Sequence, residues 1–194
     1  MTSYNKFLIW TKKGGCGKTN IAAELILRLQ YPAVTNEPET MLSHIMPSNA
    51  LLILEKNQDV PNINHDVIFD FGGYIDFRII EVLKQVKYVI VPTLPETSEI
   101  QGCISTIQSL KQYTNNIIVI ANKTDHKNDF EMIKSAIRIT GDYHVFEIKK
   151  SRALPNIYIE RKSIAEMVET SRISAFHYGK VNQQFEDIVG FIVK

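Results

Sequence analysis

Only two cysteines, Cys16 and Cys103, occur in the 194 residues, and neither belongs to a CxxC pair or a Cys/His cluster. That excludes a disulfide framework and leaves no zinc-site spacing. The five histidines are scattered. No apolar run reaches the ~18 residues of a membrane-spanning helix. A charge of one sign is also missing. Lys and Arg number 22 against 21 Asp and Glu, a net of +1, so nucleic-acid binding would need a local patch. Nine glycines and seven prolines are too few for a collagen-like or low-complexity chain, and no internal repeat is present. Residues 1–6 lack both the apolar core of a signal peptide and transit-peptide character. The expectation is a soluble protein of a reducing compartment. What is present, 44% hydrophobic and 22% charged residues, supports a real core. The length fits one domain over residues 1–194.

Strand-like and helix-like segments alternate. Short apolar runs at 7–10, 33–35, 66–70, 88–91, 117–120 and 143–148 read as strands, and 51–54 reads as either a strand or part of a helix. Between them lie helical stripes: 21–29, then Ile100, Ile104, Ile107 and Leu110, then Phe130, Ile133 and Ile137. Tyr31-Pro32 stops the first of these. Ser163-Ile164-Ala165-Glu166 has capping-box spacing, and Val181, Phe185, Ile188 and Ile192 fall on one face of a last helix. Near-continuous Val/Ile strands separated by amphipathic helices predict an α/β fold, a mostly parallel twisted sheet with helices on both faces.

Lys13-Gly14-Gly15-Cys16-Gly17-Lys18-Thr19 carries the strongest chemical signal. It sits between a strand and a helix, the context that a phosphate-binding loop requires. Gly14, Gly15 and Gly17 let backbone N–H groups, including that of Cys16, turn towards phosphate oxygens at a helix N-terminus. Lys18 reaches the β- and γ-phosphates, and Thr19 offers a hydroxyl to Mg²⁺. The first glycine of the usual loop is replaced by Lys12, and a second lysine, Lys13, precedes the glycines.

This loop resembles the deviant Walker A loop of the ParA/MinD family of P-loop ATPases. The chain is most similar to small ParA-type partition proteins without an N-terminal helix-turn-helix. The resemblance implies that Lys13 reaches across a nucleotide-sandwich homodimer to the partner's phosphates, as an arginine finger does elsewhere. Asp70, closing a strand before Phe71-Gly72-Gly73, matches the Walker B aspartate that holds Mg²⁺, about fifty residues after the loop. Pro92-Thr93-Leu94-Pro95 looks like the proline segment placed beside the dimer interface; an ordinary strand end reads nearly as well.

Two departures stand out. Where the family has Asp-x-Asp-Pro, this chain has Thr35-Asn36-Glu37-Pro38. Glu37 is then the candidate to position the attacking water, with slow hydrolysis expected, and an exposed loop carboxylate is the equal alternative. Asn122-Lys123-Thr124-Asp125 follows the strand at 117–120. It places Asn122 and Asp125 at the base, and its Asn-Lys-x-Asp form keeps GTP open beside ATP, which the resemblance favours.

Lys149, Lys150, Arg152, Arg161 and Lys162 fall within fourteen residues. By resemblance they would bind DNA without sequence preference in the nucleotide-bound dimer, through salt-sensitive backbone contacts. A solvated loop and helix start is the bland alternative. The last helix has few basic residues on its polar face, which disfavours a membrane anchor. The resemblance thus implies a Mg²⁺-dependent ATPase for plasmid or chromosome partition, cytoplasmic and nucleoid-associated, stimulated by a centromere-binding partner. Alternatives are a conjugation-associated relative and a GTP/ATP switch that positions a protein cargo.

Overall fold

The computed structural model describes residues 4–73 and 76–194. Seven strands form one sheet: β1 (Lys6–Ile9), β2 (Ala33–Thr35), β3 (Leu51–Ile53), β4 (Val67–Asp70), β5 (Tyr88–Thr93), β6 (Ile117–Thr124) and β7 (His144–Lys149). Their order is β3-β2-β4-β1-β5-β6-β7, and every pairing among the described residues is parallel. The helices are α1 (Lys18–Leu29), α2 (Arg78–Leu83), α3 (Thr97–Leu110), α4 (Asp129–Arg138), α5 (Ala153–Glu160), α6 (Ile164–Thr170) and α7 (Arg172–Ile192).

The pleat explains why the strands read as unbroken apolar runs. Successive side chains point to opposite faces. Phe7, Ile9, Ile68, Ile90, Ile118 and Ile120 therefore join one core with α1, α5, α6 and α7. Leu8, Val67, Phe69, Val89, Val91 and Val119 join another with α2, α3 and α4. Each fully buried side chain of this size contributes about 1.5–3 kcal/mol, so neither face tolerates a polar alternation. The last helix buries Val181, Phe185, Ile188 and Ile192 in the first of these cores.

Several boundaries follow local chemistry. Gln30, at φ 56°, caps α1 in the left-handed region just before Tyr31-Pro32. Ser163 and Glu166 form the reciprocal capping box at α6. The ambiguous run at 51–54 resolves as edge strand β3, paired with β2. The sixth strand runs past Ile120 to Thr124, so Asn122 lies in the strand and not after it. Pairing with β7 sustains that extension across an irregularity between Asn122 and Thr124, where Lys123 has φ 56°. The basic segment after β7, expected as a loop and helix start, includes the full helix α5, whose Pro155 falls in the first turn where the missing N–H costs little.

Candidate nucleotide site

The neighbours of β1 in the sheet are β4 and β5, and the chain crosses to one side and then the other. A crevice at the carboxyl ends of the strands is the expected result of such a switch point. The loop from β1 to α1 lies there. Gly15 and Gly17 adopt φ 81° and 90°, a region open to glycine and strained for other residues. At Gly17 a Cβ would also fall 2.5 Å from Nδ2 of Asn122. That amide donates to the Cys16 carbonyl at 2.8 Å. Asn122 thus braces the loop from beneath, and its buried Oδ1 has no partner among the described residues.

Lys18 is buried and curls back, with Nζ donating to the Lys13 carbonyl at 3.1 Å. Tyr158, on α5, donates its hydroxyl to the Thr19 carbonyl at 3.2 Å, and burial pushes its phenol upward from the ordinary tyrosine value. Burial also raises the Cys16 thiol, which stays protonated.

Asp70 ends β4 and is 1% exposed. Neither carboxylate oxygen accepts a hydrogen bond from a described residue. Burial pushes its pKa up to about 7; the Thr19 hydroxyl beside it and the Lys18 charge act against that rise, and the Glu37 charge adds to it. Glu37, half-buried just after β2, has its backbone N–H tied to Oγ1 of Thr35 at 3.1 Å. The fold therefore brings Lys18, Thr19, Glu37 and Asp70 together from three separate segments. A buried carboxylate without donors is costly unless a cation meets it. Hydroxyl and carboxylate oxygens are the donors that Mg²⁺ takes, alongside phosphate oxygens and water. The residues fit that ion.

Lys13 is exposed and lies against α3, where a Cβ on Gly102 would stand 2.6 Å from its Cγ. Gly73 approaches the loop so closely that its Cβ would be 2.9 Å from the Lys12 carbonyl. Just past the end of β6, the Asp125 carboxylate pairs with Lys150 at 3.0 Å, which holds its pKa below the usual value. Of the basic residues, Lys149 pairs with Glu147 at 2.9 Å. Arg152, Arg161 and Lys162 are exposed and have no ion pair among the described residues. Pro92 lies within β5, opposite Ile120. The supports supplied by Tyr158 and Gly102 have no motif in the sequence. Each depends on a contact between distant segments.

A glycine loop, its lysine and a strand-end aspartate at a parallel-sheet switch point define a P-loop nucleotide-binding fold. No protein-family model matches the sequence, and no curated protein matches it. Solved structures do. McdA of Cyanothece in its ATP complex superposes with a TM-score of 0.65 at 12% identity, over 97% of this chain and 96% of that one. MinD of Pyrococcus horikoshii with Mg-ADP gives 0.65 at 14%, over 97% and 98%. A plasmid partition protein of Borrelia burgdorferi bound to AMPPNP gives 0.58 at 14%, over 82% and 90%. The chain has the fold of the ParA/MinD-type ATPases, and at these identities the likeness is one of fold.

Proposed function

We propose that the protein is a Mg²⁺-dependent, nucleotide-driven ATPase of the positioning kind, working as an ATP-bound homodimer. The observation that carries this reading is the bare, buried carboxylate of Asp70 beside the Lys13–Thr19 loop, an arrangement that costs stability without a cation and a phosphate. Backbone N–H groups at the start of α1 and the Lys18 ammonium, once uncurled, would hold the phosphates. Thr19 and Asp70 would hold Mg²⁺, which supplies charge neutralisation on the phosphates. Glu37 would orient water, and Lys13 would leave α3 to reach the partner's nucleotide. The neighbours' own complexes, with ATP, Mg-ADP and AMPPNP, support adenine over guanine.

The partition reading adds DNA contact through Arg152, Arg161 and Lys162, with Lys149 and Lys150 contributing where their acidic partners release them, and a centromere-binding protein as stimulator. It would place the dimer on the nucleoid. The test is titration of the chain with Mg-ATP and Mg-GTP, followed by mass measurement with AMPPNP. Expected are ATP-selective binding, dimers with AMPPNP, their loss in Lys13→Ala, and salt-sensitive binding of arbitrary duplex by the dimer alone. Failure to bind ATP overturns the ATPase reading. Dimers that ignore duplex DNA overturn the partition reading and leave the cargo-positioning switch.

A further inference from the structure

The two acids of the site are Glu37, in the segment after β2, and Asp70, the last residue of β4. The Asn36 side chain joins the segment after β2 to the segment after β4. Asn36 is 2% exposed. Its Oδ1 accepts the Gly72 N–H at 2.8 Å, and its Nδ2 donates to Oδ2 of Asp76 at 2.7 Å. The orientation of the amide is forced, because a backbone N–H only donates and a carboxylate only accepts. The Gly72 carbonyl is held from the other side by the indole N–H of Trp10 at 3.1 Å. Asp76 is in turn paired with Arg78 at 2.8 Å, whose guanidinium donates to the carbonyls of Glu55 and Gln58 at 2.7 and 3.1 Å. The bridge lies one residue from Glu37 and two from Asp70.

Residue type matters at this position. A carboxamide supplies one acceptor and one donor from a rigid plane. An aliphatic side chain would leave the buried Gly72 N–H unsatisfied, and Asp would set a second carboxylate against Asp76. We propose that Asn36 is a positioning residue: it makes the two acid-bearing segments one unit, so that Glu37 is held in fixed relation to Asp70 during hydrolysis. It touches neither water nor phosphate itself. This inference rests on the ATPase reading above.

The test uses the full chain. Asn36→Ala is expected to lower kcat about thirtyfold, since a displacement of about 1 Å can cost a hundredfold, with KM for ATP within about threefold. In the nucleotide-free protein, exchange of the Gly72 amide is expected to speed up about tenfold or more. Asn36→Asp and Asp76→Asn should each impair kcat. The double exchange N36D/D76N rebuilds the bridge with donor and acceptor reversed, and should recover most of the wild-type kcat; a merely structural residue would not show this rescue. Unchanged kcat in Asn36→Ala, a rise in KM alone, or a double variant no better than the worse single overturns the proposal. Should Asn36→Ala not fold, the exchange pair decides it. If the wild-type chain hydrolyses no ATP, the ATPase reading fails first. The Gly72 exchange rate still reports separately whether Asn36 couples the two segments.

Discussion

Among the described residues, burial pushes two carboxylates, Glu24 and Asp70, up to about 7. Glu24, on α1, is fully satisfied. It accepts Nε of Arg28 and the backbone N–H of Ile164, each at 2.8 Å, and Arg28 passes the contact on to Asn182 of α7. Asp70, at the end of β4, accepts nothing from the described residues. The first ties the phosphate-loop helix to α6 and α7 and is explained by the fold. The second has no such partner in the fold, and on the function proposed above a cation would supply it. Burial and a raised pKa alone therefore do not separate the two; the absence of donors to Asp70 does.

The largest separation between the two should come from substitution. Asp70→Asn is expected to lower Mg-ATP turnover about a thousandfold, as loss of a cation-holding group at a phosphoryl-transfer site does. The nucleotide-free protein should nevertheless fold at least as stably as wild type at pH 8, because a buried negative charge has gone. Steady-state turnover and urea denaturation of one preparation check both halves. Glu24→Gln should do the reverse. Breaking a buried pair leaves Arg28 without its counter-charge and costs about 3 kcal/mol, while turnover per folded molecule changes little. Loss of turnover in Glu24→Gln at full stability would break the distinction.

An intermediate effect is expected from pH. The Asp70 pKa is raised in the folded state, so between its ordinary value and about 7 the native protein binds more protons than the unfolded chain. Stability from this group is complete at low pH and is lost as pH rises through 7. In chelator, the stability difference between wild type and Asp70→Asn should therefore widen from pH 5 to pH 8 against the wild type, by on the order of 2 kcal/mol. Added Mg²⁺ with ATP should close that gap, and the apparent affinity for Mg²⁺ should rise with pH through 7. A difference independent of pH would mean that Asp70 is already ionised and partnered.

How much of this was legible beforehand follows the same division. The sheet, its parallel sense and the main helices were readable because burial on both faces writes itself into continuous Val/Ile runs and i, i+3, i+4 stripes. The placement of the glycine loop between β1 and α1, and of Asp70 at the end of β4, was readable because local spacing sets it. Short helix α2 carries too little periodicity to declare itself, and the polar extension of β6 through Asn122 depends on pairing with β7, which no local pattern announces. The supports of the site are the least legible. Asn36 meets Gly72 across 36 residues and Tyr158 meets Thr19 across 139. Only a buried polar residue at a strand exit hints at Asn36, and nothing in its immediate sequence says what it holds.

The smallest expected effect extends the contrast from charge to backbone. Gly102 sits inside α3, where glycine is unfavourable by about 1 kcal/mol relative to alanine. The fold would be better served by Ala, yet Lys13 lies along the space that a Cβ would fill, with its Cγ 2.6 Å away. Gly102→Ala should therefore raise the stability of the nucleotide-free protein by up to about 1 kcal/mol in urea denaturation. The lysine stem must shift off the helix to admit the methyl group. Amine-selective labelling of Lys13 in the free chain is expected to increase by about twofold, as a side chain released from packing against a helix becomes more accessible. A stabilised variant with unchanged labelling would mean that Lys13 does not rest on α3. A destabilised one would mean that the loop cannot yield, and that Gly102, like Glu24, serves the fold after all.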